Sequence, residues 1–333
     1  MNVGRRMAVT WLLFGVGAVT TCLVAPLVGS TSINFWRVFD SSIPFADNSD
    51  AQIFFVARLP RVLAGALVGS SLAAAGVVLQ ALLRNPLATP FTLGVSAGAA
   101  LGAMLALTLD LPSGIAGFSA VPMASFAGSL GAVAIVYSLA RARHSGLSTN
   151  VLLLAGVTLN SFFSALILFV QFMSDFTQTF RTVRWLMGDL DVSSYAPLIA
   201  ALPPIVLSFA AFAVLPRRLN LLSISDESAA SRGVDVHRTQ RLAFLSSSLA
   251  TGAAVSLGGP VGFIGIVVPH LVRLLVGADH RLVLPASAFG GAAFLIACDT
   301  VSRTALAPLE IPVGVVTAII GGPFFLWLLI RNR

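Results

Sequence analysis

Residues 94–98, Gly-Val-Ser-Ala-Gly, match the pattern that presents a nucleophilic serine on a sharp turn. A hydrolase built on Ser96 would need that turn between a strand and a helix, with a histidine and an acid in reach. The flanking residues are apolar and small, so the same letters read as the packing face of a helix. His270, in Val-Pro-His-Leu-Val-Arg at 268–273, has the chemistry of a ligand. Within an apolar helix it reads more simply as a hydrogen-bonded core histidine. Asp299 and Arg303 stand four apart, the spacing at which helical side chains pair. Cys22 and Cys298 lie in apolar runs without metal-type spacing and read as small packing residues. All 20 basic residues are arginine. A phosphate-binding loop of the usual kind needs a lysine, so ATP, if it is used, must bind to another chain.

These residues must be positioned by membrane-spanning elements. Hydrophobic residues make up 57% of the 333, charged residues 10%, and the mean hydropathy is +0.93. A soluble domain carries about a quarter charged residues. In a bilayer the backbone must satisfy its own hydrogen bonds, so spans are helices or closed barrels, and long unalternating apolar runs are helices. At roughly 20 apolar residues per span, the expectation is an all-α integral membrane protein of about ten helices. Their cores fall near 8–30, 53–80, 92–109, 118–140, 150–172, 193–215, 242–257, 260–277, 282–305 and 312–330. The first run, after Arg5 and Arg6, resembles a signal peptide but is long enough to span, and it reads as an uncleaved helix. Gly65 and Gly69, Gly94 and Gly98, Gly98 and Gly102, and Gly258 and Gly262 have the four-residue spacing of tight helix packing. No internal repeat or low-complexity linker divides the chain, which reads as one membrane domain over 1–333.

A net charge of +7 could indicate nucleic acid, but the arginines sit in small groups between apolar runs. With the amino terminus in the cytoplasm, the inner connections hold Arg5, Arg6, Arg84, Arg141, Arg143, Arg217, Arg218, Arg232, Arg238, Arg241 and Arg281, with Arg331 and Arg333 on the tail. The outer ones hold Arg37, Arg58, Arg61, Arg181, Arg184 and Arg303, and most of the acids, Glu310 included. This bias places both termini inside.

Three polar clusters interrupt the apolar runs. Arg-Leu-Pro-Arg at 58–61 opens the second span, with Pro60 suited to a helix entrance. An outward guanidinium pair there suits a carboxylate on a soluble partner. Arg-Asn-Pro-Leu-Ala-Thr-Pro at 84–90 ends the same span, because neither proline can continue a helix. It reads either as an ordinary turn or as a narrow part of a pathway, with Asn85 and Leu87 available to close it. The longest inner polar run covers 221–242. Ser223 followed by Asp226 reads as a helix start, and Gly233 as its stop. Such a short helix on the membrane surface looks like a docking element.

The run from Arg58, RLPRVLAGALVGSSLAAAGVVLQALLRNPLATPFTLGVSAGAALGA, resembles the permease subunits of FecCD-type ABC importers, which carry ferric siderophores, haem or cobalamin. So do LSTNVLLLAGVTLN at 147–160, GGPVGFIGIVVPHLVRLLVGADHRLVLP and EIPVGVVTAIIGGPFFLWLL. The likeness covers nearly all of the chain from about residue 50. It implies the cobalamin-importer-like fold of ten helices. A second permease subunit, a copy of this chain in a homodimer or a partner in a paired heterodimer, would complete one central pathway. Two cytoplasmic ATPases would drive it, and a periplasmic or lipid-tethered binding protein would deliver cargo. By resemblance, Arg58, Arg61 and Arg303 face acids on the binding protein. Asn85 and Leu87 form an inner gate, with Thr149 and Asn150 as a second constriction; Asn150 stands where some relatives have serine. The inner loop, about 216–241, would dock on the ATPase through Ser223, Ser225, Asp226, Glu227, Ser228, Ala229, Ala230, Arg232, Gly233 and Val234. The expected role is ATP-driven import by alternating access across a bacterial cytoplasmic membrane, with ferric siderophore as first cargo and haem or cobalamin as alternatives. The chain itself would do no bond-making chemistry and hold no cofactor or metal. A secondary transporter would need paired acids inside the spans, and beyond Asp299 the chain offers almost none.

Overall fold

A computed structural model describes residues 3–111, 119–142, 149–192 and 194–331, and every regular element among them is helical. The helices are α1 (Val3–Val24), α2 (Leu59–Leu82), α3 (Val95–Thr108), α4 (Ala120–Ala142), α5 (Thr149–Met173), α6 (Phe176–Leu186), α7 (Ala196–Val214), α8 (Pro216–Leu222), α9 (Asp226–Ser231), α10 (Val236–Gly258), α11 (Ile264–Val276), α12 (His280–Thr304) and α13 (Val313–Arg331). A turn of helix at Ser49–Gln52 and a π-helical stretch at Ile53–Arg58 run directly into α2, giving 34 continuous residues.

Ten of these helices fall on the ten expected spans. Six stretches are long and apolar enough to cross a membrane, while α3, α11 and the apolar part of α13 are shorter. α10 begins at Val236 rather than near 242, because Asp235 caps it by accepting a hydrogen bond from the backbone N–H of Arg238 (2.9 Å). Arg143, Leu147, Ser148 and Arg333, which the sequence reading assigned to inner segments, lie outside the described residues.

α2 is the axis of the bundle. From Ser71 to Leu82 every residue is buried, as expected of a helix that is apolar on all sides. It packs against α10, α11 and α12. Gly69 faces Gly291 of α12 so closely that a methyl group on either would overlap the other's carbonyl oxygen. Gly76 meets the Gly265 carbonyl of α11 in the same way. α3 and α4 touch through Gly98 against Gly128 and Gly102 against Ala124. Two of the spaced glycines do other work. Gly94 has φ 77° and ends the 3₁₀ turn Pro90–Leu93, where a left-handed backbone favours glycine. A methyl at Gly262 would meet nothing within 4 Å, so that residue is not a packing contact.

α1 lies against α12, and the Arg6 guanidinium donates to the Val276 carbonyl at the end of α11 (2.7 Å). α13 starts beside the far end of α12, where Ile311 N–H donates to Ser302 O (3.1 Å). Its 19 residues return the chain about 28 Å toward the end where α1 began. The described ends of the chain, at the start of α1 and the end of α13, therefore lie toward the same end of the bundle.

Replacing Gly69 by Val must push α2 and α12 apart and should lower stability by about 1–3 kcal/mol or more. Gly131→Ala, with nothing within 4 Å of the added methyl and a position inside α4, should match the parent or exceed it by up to about 1 kcal/mol. Thermal unfolding of the detergent-solubilised protein reads both, and equal melting would refute the backbone contact.

Candidate functional site

One end of the bundle buries three arginines side by side. Arg58, Arg61 and Arg303 are only 6%, 7% and 5% exposed. Arg61 Nε donates to Asp299 Oδ1 (2.9 Å) and its Nη1 to Glu310 Oε2 (2.7 Å). Arg303 Nε lies 3.2 Å from Asp299 Oδ2, an ion pair whose angle does not make a hydrogen bond. Asp299 thus sits between two guanidinium groups, rather than pairing with Arg303 alone. Arg58 Nη1 donates to the carbonyls of Pro26 (3.1 Å) and Leu27 (3.3 Å), and its Nη2 to that of Thr31. Arg303 donates to Val28 O (3.0 Å) and Ala25 O (2.9 Å).

This corrects the picture of an outward-facing Arg58–Arg61 pair. The chain leaving α1 carries carbonyls with no helical partner. A guanidinium offers five donors, enough to satisfy several of them. Asp299, buried in the α12 span, needs a counter-charge. Around the three arginines lies a cavity of about 760 Å³, which Arg184, Asp191 and Glu310 also line. Arg184 Nε donates to Asp189 (2.9 Å). The lining thus sets four arginines against the acids Asp191 and half-exposed Glu310, with Asp189 and Asp299 paired to Arg184, Arg61 and Arg303; Arg58 alone of the four is held by carbonyls and no carboxylate among the described residues.

At the opposite end, α2 stops at Leu82 and the chain turns. Arg84 has φ 47°, a left-handed backbone that side chains rarely adopt. Asn85 N–H donates to Gln80 O (3.1 Å), and Asn85 Oδ1 accepts from Leu87 N–H (2.9 Å), as asparagine does in turns. The Asn85 side-chain carbonyl is thereby engaged in shaping the turn. Leu87 is 45% exposed and projects from it. Thr89 and Thr92 cap the following 3₁₀ turn reciprocally. α5 is fastened to that turn by Asn160 Nδ2, which donates to Phe91 O (2.7 Å), with Gly156 packed on Thr92. Thr149 and the exposed Asn150 open α5.

The polar segment after α7 forms two short helices. α9 starts at Ser225, whose Oγ accepts from Ser228 N–H (2.9 Å). The expected start at Ser223 was two residues early: α8 runs to Leu222, and Ser223 Oγ donates back to Asn220 O (3.0 Å). Gly233 ends α9 with φ 78°, its N–H on Ala230 O (2.9 Å) and Val234 N–H on Ala229 O (3.0 Å). Ala229 is buried, while Ile224, Glu227, Ala230 and Arg232 are exposed. α8 is anchored by Asn220, which donates to Asp279 Oδ1 (2.7 Å) and accepts from His280 N–H (2.9 Å). The Arg281 guanidinium, and then the Asn220 amide, hold the Asp279 carboxyl well below the usual carboxylate range.

Several residues here carried no sequence signal. Gln80 donates to Gly265 O (2.9 Å) and accepts from Arg273 Nη2 (2.6 Å), linking α2 to α11. Asn220 likewise bonds to partners far along the chain, and so does Arg84, which the sequence marked only as part of its turn and of the inner positive charge. Of the remaining candidates, Ser96 is buried in α3 with no hydrogen-bond partner for Oγ among the described residues. His270 is partly buried rather than a core residue, edge-on to Phe324 at 6.3 Å, and its Nε2 has no hydrogen-bond partner among the described residues, where a hydrogen-bonded histidine was expected. Cys22 and Cys298 are both free.

Comparison with known proteins converges on one description. The model of the FecCD transport family matches residues 17–331. The hemin transport system permease protein HmuU of Yersinia pestis is 40% identical over 338 aligned positions, covering 100% of this chain and 98% of the relative. The cobalamin import system permease protein BtuC of Halobacterium salinarum is 47% identical over 281 positions, 83% of this chain and 72% of the relative. A solved ABC transporter assigned to the metal-chelate type, in an inward-facing conformation, superposes with a TM-score of 0.82 at 32% identity, covering 96% of this chain and 98% of its own.

Asp299→Ala would leave Arg61 and Arg303 buried without their shared acid and should cost about 3–5 kcal/mol. Glu310→Gln, at a half-exposed pair, should cost about 1 kcal/mol or less. Thermal unfolding of the two variants checks the order, and equal losses would contradict the buried-network account.

Proposed function

The chain belongs to the FecCD transport family, and from that premise we propose that it is the permease subunit of an ATP-driven importer for a large metal chelate. The observation that carries this reading is the whole-length match, residues 17–331, on a ten-helix membrane fold. Ferric siderophore is the first cargo to test. Haem and cobalamin stand beside it, since the relatives compared above are named for hemin and cobalamin. ATP hydrolysis belongs to separate cytoplasmic subunits, in keeping with a chain that has no lysine. A second copy of this chain completes the pathway, and a binding protein delivers the cargo.

In this reading the Asn85–Leu87 turn and the α8–α9 segment face the cytoplasm, with both termini, in a bacterial cytoplasmic membrane. Leu87 and Asn85, with Thr149 and Asn150 on α5, form the inner gate. The 223–234 segment meets the ATPase, led by its exposed Ile224, Glu227 and Arg232. Arg58, Arg61 and Arg303 act on the outer face through the cavity they line. Their burial suits a role in shaping that surface, while Arg58, which no carboxylate pairs among the described residues, supplies the positive charge that attracts acids on the binding protein.

Arg58→Gln removes one charge from the cavity and leaves Asp299 with both its arginines. The expected outcome is about tenfold weaker binding-protein affinity, with a shallower salt dependence; unchanged affinity would reject the docking role. Cargo is decided by uptake of labelled ferric siderophore, haem and cobalamin in cells with and without the gene. Loss of uptake of one of the three identifies the cargo, and unchanged uptake of all three would refute the proposal.

A further inference from the structure

Arg84 joins two parts that the functional reading treats separately. Its backbone belongs to the turn that carries Asn85 and Leu87. Its side chain leaves that turn and reaches the α8–α9 segment. Nε donates to the carbonyl of Leu222, the last residue of α8 (2.9 Å). Nη2 donates to the carboxylate of Asp226, the first residue of α9. One guanidinium therefore holds the end of one short helix and the start of the next. Asp226 Oδ2 also accepts a long hydrogen bond from Gln240 of α10 (3.4 Å).

An exposed arginine–carboxylate pair alone has a bland reading, since such pairs contribute little in water. Here Arg84 and Asp226 side chains are 43% and 49% exposed. Two observations separate this pair from an ordinary one. The second bond goes to a backbone carbonyl, so the contact is with the helix ends and not only with a mobile side chain. And Arg84 holds a left-handed backbone at φ 47°, a conformation kept where the surroundings enforce it. A lysine, with a point charge in place of a planar fork, could not span both acceptors in this geometry.

The rest of the segment is held differently. Asn220 anchors α8 to the start of α12 through Asp279 and His280. Besides the long bond from Gln240 and the buried Leu219, Leu222 and Ala229, the α8–α9 segment thus has one polar attachment to the span α12 and another, through Arg84, to the turn at the end of α2. Displacing α8–α9 about the Asn220 anchor pulls directly on the residue next to Asn85.

We propose that Arg84 is the positioning residue that transmits movement of the α8–α9 segment to the Asn85–Leu87 turn, so that the gate follows the ATPase. This rests on the importer reading, in which that segment meets the ATPase and that turn gates the pathway.

The test uses the full importer, permease with its ATPase and binding protein, in proteoliposomes. In a Cys22→Ser, Cys298→Ala background, Leu87→Cys reports the turn through its rate of reaction with a maleimide, without nucleotide and with ATP trapped. With Arg84 intact, the two rates should differ about tenfold. In Arg84→Gln the rates should become equal while the ATPase still binds and hydrolyses ATP. Asp226→Asn should act in the same direction, and the double variant should be no worse than Arg84→Gln alone. Arg84→Lys should restore little of the difference. A nucleotide-dependent rate that persists in both Arg84→Gln and Asp226→Asn would overturn the proposal. So would loss of ATPase binding in Arg84→Gln, which would make Arg84 a docking residue; Asp226 lies in the docking segment itself, so its variant is read only through the Leu87→Cys rates. If the rates do not differ even with Arg84 intact, the gate reading itself fails, and the proposal with it.

Discussion

The backbone of α2 must touch the backbone of α12, and this close approach organises the rest of the protein. Gly69 and Gly291 permit it, and Gly76 against Gly265 extends it to α11. In lipid there is no gain from hiding apolar side chains from other apolar groups, so close packing of small residues is what holds helices together. The pair is antiparallel, so each end of the contact brings the start of one helix beside the end of the other. Arg58 and Arg61 at the start of α2 meet Asp299 and Arg303 at the end of α12. At the other end, the turn after α2 and the start of α12 flank the α8–α9 segment, bonding it through Arg84 and Asn220.

The two ends use charge in opposite ways. At the arginine end Arg58, Arg61, Arg303 and Asp299 are buried, and each of these guanidinium groups is matched to carbonyls or carboxylates of the same chain. Such a network resists change, because removing one member strands another away from water. At the turn end Arg84 and Asp226 are half-exposed. A surface link of that kind can be remade at little cost while it still ties its two parts together, which suits parts that move between states. The rigid end belongs, in the proposed orientation, to the face that receives a binding protein. The compliant end belongs to the face that receives the ATPase.

Much of this architecture was legible in the sequence. Ten apolar runs gave ten helices, because a bilayer leaves a long apolar run one solution. The specific motifs around Arg58, Asn85 and His270 carried the family resemblance. The details that escaped were those set by distant partners. Arg61 is 238 residues from Asp299 in the chain and 249 from Glu310. An arginine at a helix entrance looks outward until those acids are placed beside it. Spacing alone also could not separate Gly69, which packs, from Gly94, which turns the chain. The start of α9 was missed by two residues because α8 claims Ser223 for its own last turn. Gly233 was read correctly as its stop, since a glycine after a short helix has a local reason to be there.

The central claim is that this chain forms a path whose opening is driven by ATP on another subunit. The direct measurement is chelate accumulation in proteoliposomes containing the permease, its ATPase and the binding protein, with ATP and a proton gradient supplied separately. Accumulation with ATP that persists when the gradient is collapsed is the predicted result. Accumulation driven by the gradient alone, indifferent to ATP, would contradict the account.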